Sequence, residues 1–169
     1  DMAFGISRFT PVLSTDAYAN GDVLFSMTEV RLPSRSCKLV GGCVVDYEAQ
    51  TVSDVFNIHF FQINSAELGT LNATANITDA NFRLNKYLGS MTKGSSFASN
   101  QLDNTTPYFL ASFGDTQYLS SSPGSVVTPV LTSVETGYKI YASAVFSTVD
   151  TAPNFASADA LEIVLHLEY

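Results

Sequence analysis

The two histidines are the first residues to consider for catalysis, because a hydrolytic triad needs a base beside its nucleophile. The chain contains only His59 and His166. His59 lies in the middle of an apolar, strand-like run, and His166 alternates with Glu168 near the end of the chain. Neither has a serine, cysteine or aspartate partner that the sequence itself can identify. We therefore expect His59 to be a satisfied core residue and His166 to face solvent.

A pair of carboxylates could serve glycoside hydrolysis, which needs two such groups roughly 5 to 9.5 Å apart. Asp46 and Glu48 are two positions apart, which places them on one face of a strand. A single pair of this kind is more typical of a solvated or interface-facing strand edge. Other aspartates lie near predicted turns, where Asp bonds to the local backbone, and a calcium loop among them is left open. No catalytic, cofactor-binding or metal-binding residue is predicted.

Cys37 and Cys43 are the only cysteines, six positions apart. They are compatible with one disulfide across a small loop or with two buried thiols. The second alternative is favoured, because free cysteine behaves as a small apolar residue. Gly41-Gly42 between them lacks the Lys-Ser/Thr of a phosphate-binding loop, and it predicts a β-bulge or a close backbone approach.

Charge and hydropathy exclude several classes of partner. The net charge is −8, from 16 acidic and 8 basic residues, and the basic residues form no cluster. Nucleic acids and anionic membranes are bound through basic patches, so neither is expected as a partner. The longest apolar runs, such as 160–167, fall short of the roughly 20 residues of a membrane-spanning helix. No export signal is visible at the N-terminus, and 169 residues fit a single domain, 1–169.

Alternating apolar and polar residues, separated by turn signals, predict a chain made mostly of β-strands. The clearest run is Val55 to Asn64, whose two faces are both largely apolar, as in the centre of a covered sheet. The last run, Leu161 to Tyr169, has one apolar face and is expected to be half-buried. The other predicted strands are Phe4 to Leu13, Val23 to Val30, Lys38 to Tyr47, Tyr108 to Phe113, Val126 to Leu131 and Tyr138 to Val149.

Residues of about 65–105 change in texture to Ser, Thr, Asn, Ala and Gly, which indicates an insertion with a long loop and one short helix. Ser90 to Asn104 is expected to be the exposed loop. The residues predicted to cap, form and end the helix are Thr78 or Asp79, then Phe82, Leu84 and Tyr87, then Gly89.

The number and pattern of these elements predict the fold class. About eight strands, one short helix and no internal repeat favour an all-β fold of two packed antiparallel sheets. The expected architecture is an antiparallel β-sandwich of jelly-roll-like, Greek-key order, with an N-terminal arm at about 1–9.

Three segments carry a likeness to a known group of proteins: Ala17-Tyr-Ala-Asn-Gly-Asp-Val23, the stretch from Val55 to Tyr87, and Ile140-Tyr-Ala with Ala156-Ser-Ala-Asp-Ala-Leu161. Together they resemble small β-sandwich proteins of tailed bacteriophage particles. The resemblance is to capsid decoration (cement) proteins and related head accessory proteins, and it covers roughly the whole chain in element order.

The resemblance implies a structural function without an enzyme activity or a cofactor. A protein of this kind binds the outer surface of an assembled capsid, as a trimer at three-fold or quasi-three-fold positions, and clamps neighbouring capsomers. Its partners are the major capsid protein and further copies of itself, and it is made in the host cytoplasm and carried on the virion. The residues expected at interfaces lie in the N-terminal arm and in the loop: Met2, Phe4, Ile6, Phe9, Met91, Lys93 and Phe97.

A carbohydrate-binding or receptor-binding jelly-roll module, such as a fibre tip or lectin-like domain, is the alternative function. Tyr108, Tyr118 and Tyr141 could stack on sugar rings. Sugar platforms usually favour tryptophan, and the chain has none. An enzyme is the third alternative, and the sequence lacks the His and carboxylate clusters that such a site would use.

Overall fold

The computed structural model describes residues 3–51, 53–94, 105–110 and 129–169, with the backbone alone for 106–110. These residues form nine strands and one helix. The elements are β1 Phe4–Phe9, β2 Val23–Arg31, β3 Ser36–Asp46, β4 Val55–Phe61, α1 Asp79–Asn85, β5 Tyr87–Lys93, β6 Thr106–Leu110, β7 Val130–Thr132, β8 Lys139–Thr148 and β9 Leu161–Glu168.

The strands are arranged in two antiparallel sheets. One sheet has the order β1-β9-β3-β6, with the short β7 pairing to the other end of β3, and the second has the order β2-β8-β4-β5. Strands β1 to β4 alternate between the two sheets. Strand β9 lies between β1 and β3 in one sheet, and β8 lies between β2 and β4 in the other. This is the strand order of a jelly roll. The predicted all-β sandwich is therefore confirmed, and so is its jelly-roll-like order.

The main core lies between the two sheets and is rich in aromatic side chains. Phe146 on β8 packs against Phe56 on the neighbouring β4, with ring centroids 5.7 Å apart, and against Tyr18 at 5.4 Å. Tyr18 comes from the connection before β2, and its hydroxyl donates to the Leu24 carbonyl oxygen at 2.9 Å. This connection is thereby fixed across one end of the core, and burial raises the pKa of Tyr18 to about 12.

β4 is an internal strand, as its two apolar faces predict. Phe56, Ile58 and Phe60 face the main core and are fully buried. Phe61 faces the other way and forms a second apolar cluster with Val23 and Leu68 outside the four-stranded sheet. The strand ends at Phe61 rather than Asn64, because the next amides leave the ladder and donate to carbonyls of the Asn85–Lys86 turn.

A β-bulge interrupts β3 between Leu39 and Gly41, where the sequence predicts one. The extra residue, Val40, reverses the alternation of the strand. Cys37 therefore contributes to the main core, whereas Cys43 lies on the outer face of the sheet. Both thiols are free and buried, as favoured from the sequence. Six residues of extended strand separate them by roughly 20 Å, which excludes a disulfide between them.

The short helix α1 begins where the sequence predicts and ends earlier. The Thr78 hydroxyl accepts a hydrogen bond from the Asn81 amide, which identifies Thr78 as the N-cap. Lys86 adopts a left-handed conformation with φ 54° and turns the chain back into the sheet. Tyr87 is therefore the first residue of β5 and not part of the helix, which corrects the prediction.

Two further predictions of local structure are corrected by strand pairing. Ser90 was expected to open an exposed loop, but residues 90–93 belong to β5 and pair with β4. The N-terminal arm is β1 from Phe4 onward, because those residues pair with β9 throughout. Residues 95–104 and 111–128 lie outside the described residues, and so do most of the predicted loop and the first three positions of the strand predicted from Val126 to Leu131, whose last two residues lie in β7. No helix in the described ranges has the length and hydropathy needed to cross a membrane.

Candidate binding surface

Strand β1 separates its side chains into a buried and an exposed set. Ser7 and Phe9 face the core, whereas Phe4 and Ile6 are 70% and 58% exposed. Phe4 is the most exposed large apolar side chain in the described part of the chain. The predicted interface residues Phe4 and Ile6 are thus available to a partner, and Phe9 is part of the core.

The bulge in β3 extends this apolar surface across three strands. His166 on β9 pairs with Ile6 on one side and with Gly41 on the other. Val40 adds an apolar side chain, and Gly41 leaves room beside the His166 ring, since a Cβ there would lie 3.7 Å from Nδ1. Phe4, Ile6, Val40 and His166, which we call the β1 patch, line an open depression of about 450 Å³ together with Gly5 and Leu167.

An ion pair flanks each end of the β1 patch. Arg8 Nη1 lies 3.1 Å from Glu162 Oε1, and Lys38 Nζ lies 3.6 Å from Glu168 Oε2. Hydrogen bonds from Tyr47 and from Arg8 lower the pKa of Glu162, so this carboxylate stays charged and paired near neutral pH. The patch and its surroundings are therefore locally balanced in charge, although the whole chain carries −8.

The outer edge of β1 carries backbone groups that no described strand pairs with. Ala3 and Tyr169 exchange both backbone hydrogen bonds, at 2.9 Å each. Such pairs recur at every second residue of an antiparallel ladder, so the amides and carbonyls of residues 5, 7 and 9 face β9. Those of residues 4, 6 and 8 point away from it, and β1 is the terminal strand of its sheet.

The adjacent edge of the other sheet is protected. The Met27 amide on β2 donates to Glu67 Oε2 at 2.7 Å, and Val23 exchanges backbone hydrogen bonds with Asn72 and Ala73. Side-chain capping and loop cover of this kind are common means of blocking an edge strand. Within the described residues, the edge of β2 is thus covered, whereas the outer edge of β1 is open to another strand.

The remaining predicted interface residues do not contribute to this surface. Met91 and Lys93 on β5 are buried inside the sandwich, where they have no surface for a partner, and this corrects their assignment. Met2 and Phe97 lie outside the described residues.

Lys93 belongs to a buried polar cluster at one end of the sandwich. Its ammonium group donates to the carbonyl oxygens of Thr51 and Asp54, the latter at 2.8 Å. Burial lowers its pKa to about 8, which the charges of Asp54 and Asp46 partly oppose. Lys93 therefore fixes the loop between β3 and β4 onto β5.

The predicted carboxylate pair has a structural role in the same loop. Asp46 is fully buried, not at a solvated edge, and it accepts hydrogen bonds from the Glu48 amide and from the amide and hydroxyl of Thr51. Glu48 instead accepts from the amides of Ala156 and Ser157, at 2.6 and 2.9 Å. Asp46 is thus occupied by its own loop and Glu48 by the connection between β8 and β9.

His59 lies on the outer face of the four-stranded sheet and not in the core, which corrects the prediction. Its Nδ1 is 3.3 Å from the Tyr87 hydroxyl, and burial lowers its pKa. His166 is exposed, as predicted, on the other sheet. In the described part of the chain, no three residues of the types His, Cys, Asp and Glu are grouped so that they could hold a metal ion.

The aromatic residue that sequence reasoning missed is Tyr87, which is 42% exposed beside His59. Its assignment to the helix hid its position in β5, directly beside Phe61 in the ladder. Among the tyrosines proposed for sugar stacking, Tyr141 is half-buried and its hydroxyl donates to Glu135 at 3.1 Å. Tyr108 lies in β6, where the backbone alone is described, and Tyr118 lies outside the described residues.

Comparison with known proteins adds no family to this geometry. No family model matches the chain. The search of curated proteins likewise finds no significant match.

Proposed function

We propose that the chain is a structural virion protein that binds the outer surface of a tailed-phage capsid and stabilises contacts between capsomers. Two lines of argument support this proposal. The sequence resembles capsid decoration proteins in three segments, and the jelly-roll order of the strands is widely used by capsid and lectin domains. Because one fold serves many functions, the argument for binding comes from the surface.

The β1 patch is the observation that carries the proposal. Two large apolar side chains, Phe4 and Ile6, stand exposed on a rigid strand beside an open depression. Exposed apolar patches with a polar rim are typical of protein interaction sites. The flanking ion pairs supply that rim, and they leave no unpaired charge to be desolvated when a capsomer covers the patch.

An interface of this size is sufficient when many copies of the chain bind to one capsid. One patch of a few side chains supplies a modest binding free energy. Copies that bridge neighbouring capsomers add to one another, because each further contact on the same shell forms at a high effective concentration. Many weak contacts can then resist the pressure inside a filled capsid.

The test uses capsids assembled without this protein and the purified chain added back. Wild-type chain is expected to bind and to raise the temperature at which filled capsids release DNA. The double variant Phe4→Ser, Ile6→Ser is expected to bind at least about tenfold more weakly, because burial of either side chain is worth roughly 1.5–3 kcal/mol. Cosedimentation and cryo-electron microscopy measure the occupancy.

Leu84→Ser is the matched control, since Leu84 on α1 is 58% exposed, the same as Ile6. It should bind like wild type. The proposal would be contradicted if capsids mixed with wild-type chain bound none of it and were no more stable than capsids without it. Unchanged binding of the double variant would remove the β1 patch from it.

Carbohydrate binding is the second candidate, and Tyr87 is the observation that favours it. The exposed ring lies on the outer face of the four-stranded sheet, next to His59 on β4 and on the same strand as Ser90 and Thr92. An aromatic ring with polar neighbours is suited to stacking on a sugar. Wild-type chain would then bind members of a glycan array, and Tyr87→Ala would lose the signal while Tyr138→Ala, at 45% exposure, would keep it. An array without signal would exclude this candidate for the glycans it carries.

A further inference from the structure

We infer that β1 pairs antiparallel with β1 of a second copy of the chain across a two-fold axis. The two five-stranded sheets then continue into one another. Oligomer formation of this kind does not depend on binding to a capsid, so it holds or fails separately from the function proposed above.

The open edge of β1 is the first step of the argument. The backbone groups of Phe4, Ile6 and Arg8 point away from β9, and no described strand pairs with them. An exposed edge strand with apolar side chains is a template for addition of another strand. The neighbouring edge of β2 is capped by Glu67, so on this side of the sandwich strand addition is directed to β1.

Register is the second step, because the strand is complementary to itself. The residues with outward backbone groups are 4, 6 and 8, so the longest antiparallel register places Ile6 opposite Ile6 of the second copy. Phe4 then lies opposite Arg8 of the second copy, and the reverse. Three residue pairs of this kind exchange about six backbone hydrogen bonds. The side-chain pairs are one aliphatic contact and two contacts between a cation and an aromatic ring, both favourable across strands.

The inner face also fits this register. Gly5 comes to lie opposite Ser7 of the second copy, so two small residues meet where the sheets of the two sandwiches approach each other. Ser7 is already held by its hydroxyl, which donates to the Arg31 carbonyl oxygen at 2.6 Å. The Tyr169 ring and Pro33 already lie against Gly5, where a Cβ would be 2.9 Å from Tyr169 Cε1 and 3.3 Å from Pro33 Cγ, so the second copy packs against these two side chains.

Charge is the third step and distinguishes a second copy from an oppositely charged partner. A chain with a net charge of −8 generally repels its own copies. Around β1, however, Arg8 is paired with Glu162 and Lys38 with Glu168. The surface that meets itself is therefore neutral, and repulsion is concentrated elsewhere on the molecule.

The pairing joins the two β1 patches into one. Phe4 and Ile6 of both copies stand on the same outer face of the continuous sheet. The two patches adjoin at the two-fold axis, so the continuous apolar surface is twice that of one copy. A dimer with two-fold symmetry would replace the trimer that the sequence resemblance implies. If the chain decorates a capsid, this composite face is the one that contacts it.

Analytical ultracentrifugation of the full chain over a wide concentration range tests the inference. The mass is expected to rise from 18.2 kDa to twice that value as the concentration increases. Ile6→Pro removes one outward amide without touching the ladder to β9, and it is expected to keep the chain monomeric, whereas Ile6→Ala keeps the amide and weakens the dimer less. Leu84→Glu, a charge introduced at an equally exposed position, is expected to leave the dimer intact.

Hydrogen exchange gives an internal control within one sample. The Ile6 amide faces the proposed partner, and the adjacent Ser7 amide faces β9. Exchange at Ile6 is expected to slow as the concentration rises, while exchange at Ser7 stays constant. A chain that remains monomeric throughout, a trimer, or a dimer that survives Ile6→Pro would each overturn the inference. A folded thermal transition for Ile6→Pro confirms that its monomer is native.

Discussion

Replacing Lys93 by methionine is expected to lower the free energy of unfolding by about 3–5 kcal/mol at pH 7, as is typical when one partner is removed from a buried charged network. Methionine keeps the apolar part of the side chain but donates no hydrogen bond. The carbonyl oxygens of Thr51 and Asp54 lose a buried donor. Asp46 and Asp54 also lose the nearby positive charge that their carboxylates interact with.

Urea unfolding followed by circular dichroism measures this loss. Lys38→Met is the control, because the Lys38 side chain is 53% exposed and its ion pair with Glu168 is at the surface. It is expected to cost about 1 kcal/mol or less. A Lys93→Met protein within about 1 kcal/mol of wild type would show that the cluster does not stabilise the fold.

The lowered pKa of Lys93 leads to a prediction for stability at alkaline pH. Its pKa is lowered from 10.5 to about 8 in the folded chain, first of all by burial. Between these values the unfolded chain holds a proton that the folded chain has released, so the contribution of Lys93 to stability rises with pH, while Cys37 and Cys43, whose pKa values burial raises, add the opposite slope above 9.0. Wild type is therefore expected to gain stability between about pH 8 and 9.5 relative to Lys93→Met. The measurement stays below pH 10, since Tyr18, whose pKa is raised, adds the opposite slope above its ordinary value of 10.0.

Phe146→Ala is expected to cost about 3–5 kcal/mol, because it removes a whole buried ring and leaves a cavity. The ring contacts Phe56 across the strand pair and Tyr18 from the connection before β2. Loss of the ring removes one of the buried contacts by which Tyr18 holds that connection to the core. Increased proteolysis near residues 14–22 is therefore expected together with the drop in stability measured by urea unfolding.

Phe82→Ala is the matched control, since the Phe82 ring is only half-buried beneath α1 and contacts Phe61 at 5.5 Å. Its cost is expected to be about 1–2 kcal/mol. If Phe146→Ala does not fold, Phe146→Leu is measured instead, and its free energy of unfolding is expected to fall by about 1–1.5 kcal/mol. Equal losses at positions 146 and 82 would contradict the assignment of Phe146 to the main core.

The strands with clear alternation could be predicted from the sequence. In β9, Leu161, Ile163, Leu165 and Leu167 all face the core, as their spacing indicates. Strand ends were predicted less well, because they depend on distant partners. Tyr87 was assigned to the helix since nothing local shows that Lys86 takes a left-handed conformation and returns the chain to β4.

The candidate surface was predicted in part. Phe4, Ile6 and Phe9 were grouped as an arm, although their positions differ in parity, and alternation alone would have put Phe9 on the opposite face. The contribution of Val40 could not be foreseen, because it depends on where the bulge falls relative to β9. Lys93 was expected at the surface, as lysine usually is. Its burial follows from carbonyl groups about forty residues earlier in the chain.

The extra residue in β3 shifts the alternation of its side chains. Odd-numbered residues face the core before the bulge, and even-numbered residues face it beyond the bulge. Deleting Val40 would remove the bulge and leave the pairing with β9 unchanged on both sides of it, so that Cys43 would stay on the outer face and Val44 in the core. Substitutions that keep the length of β3 are local events. A deletion or insertion of one residue elsewhere in β3, with the bulge kept, would instead exchange the inside and outside of the strand beyond it, and the fold would tolerate it only if the apolar and polar positions there were exchanged as well.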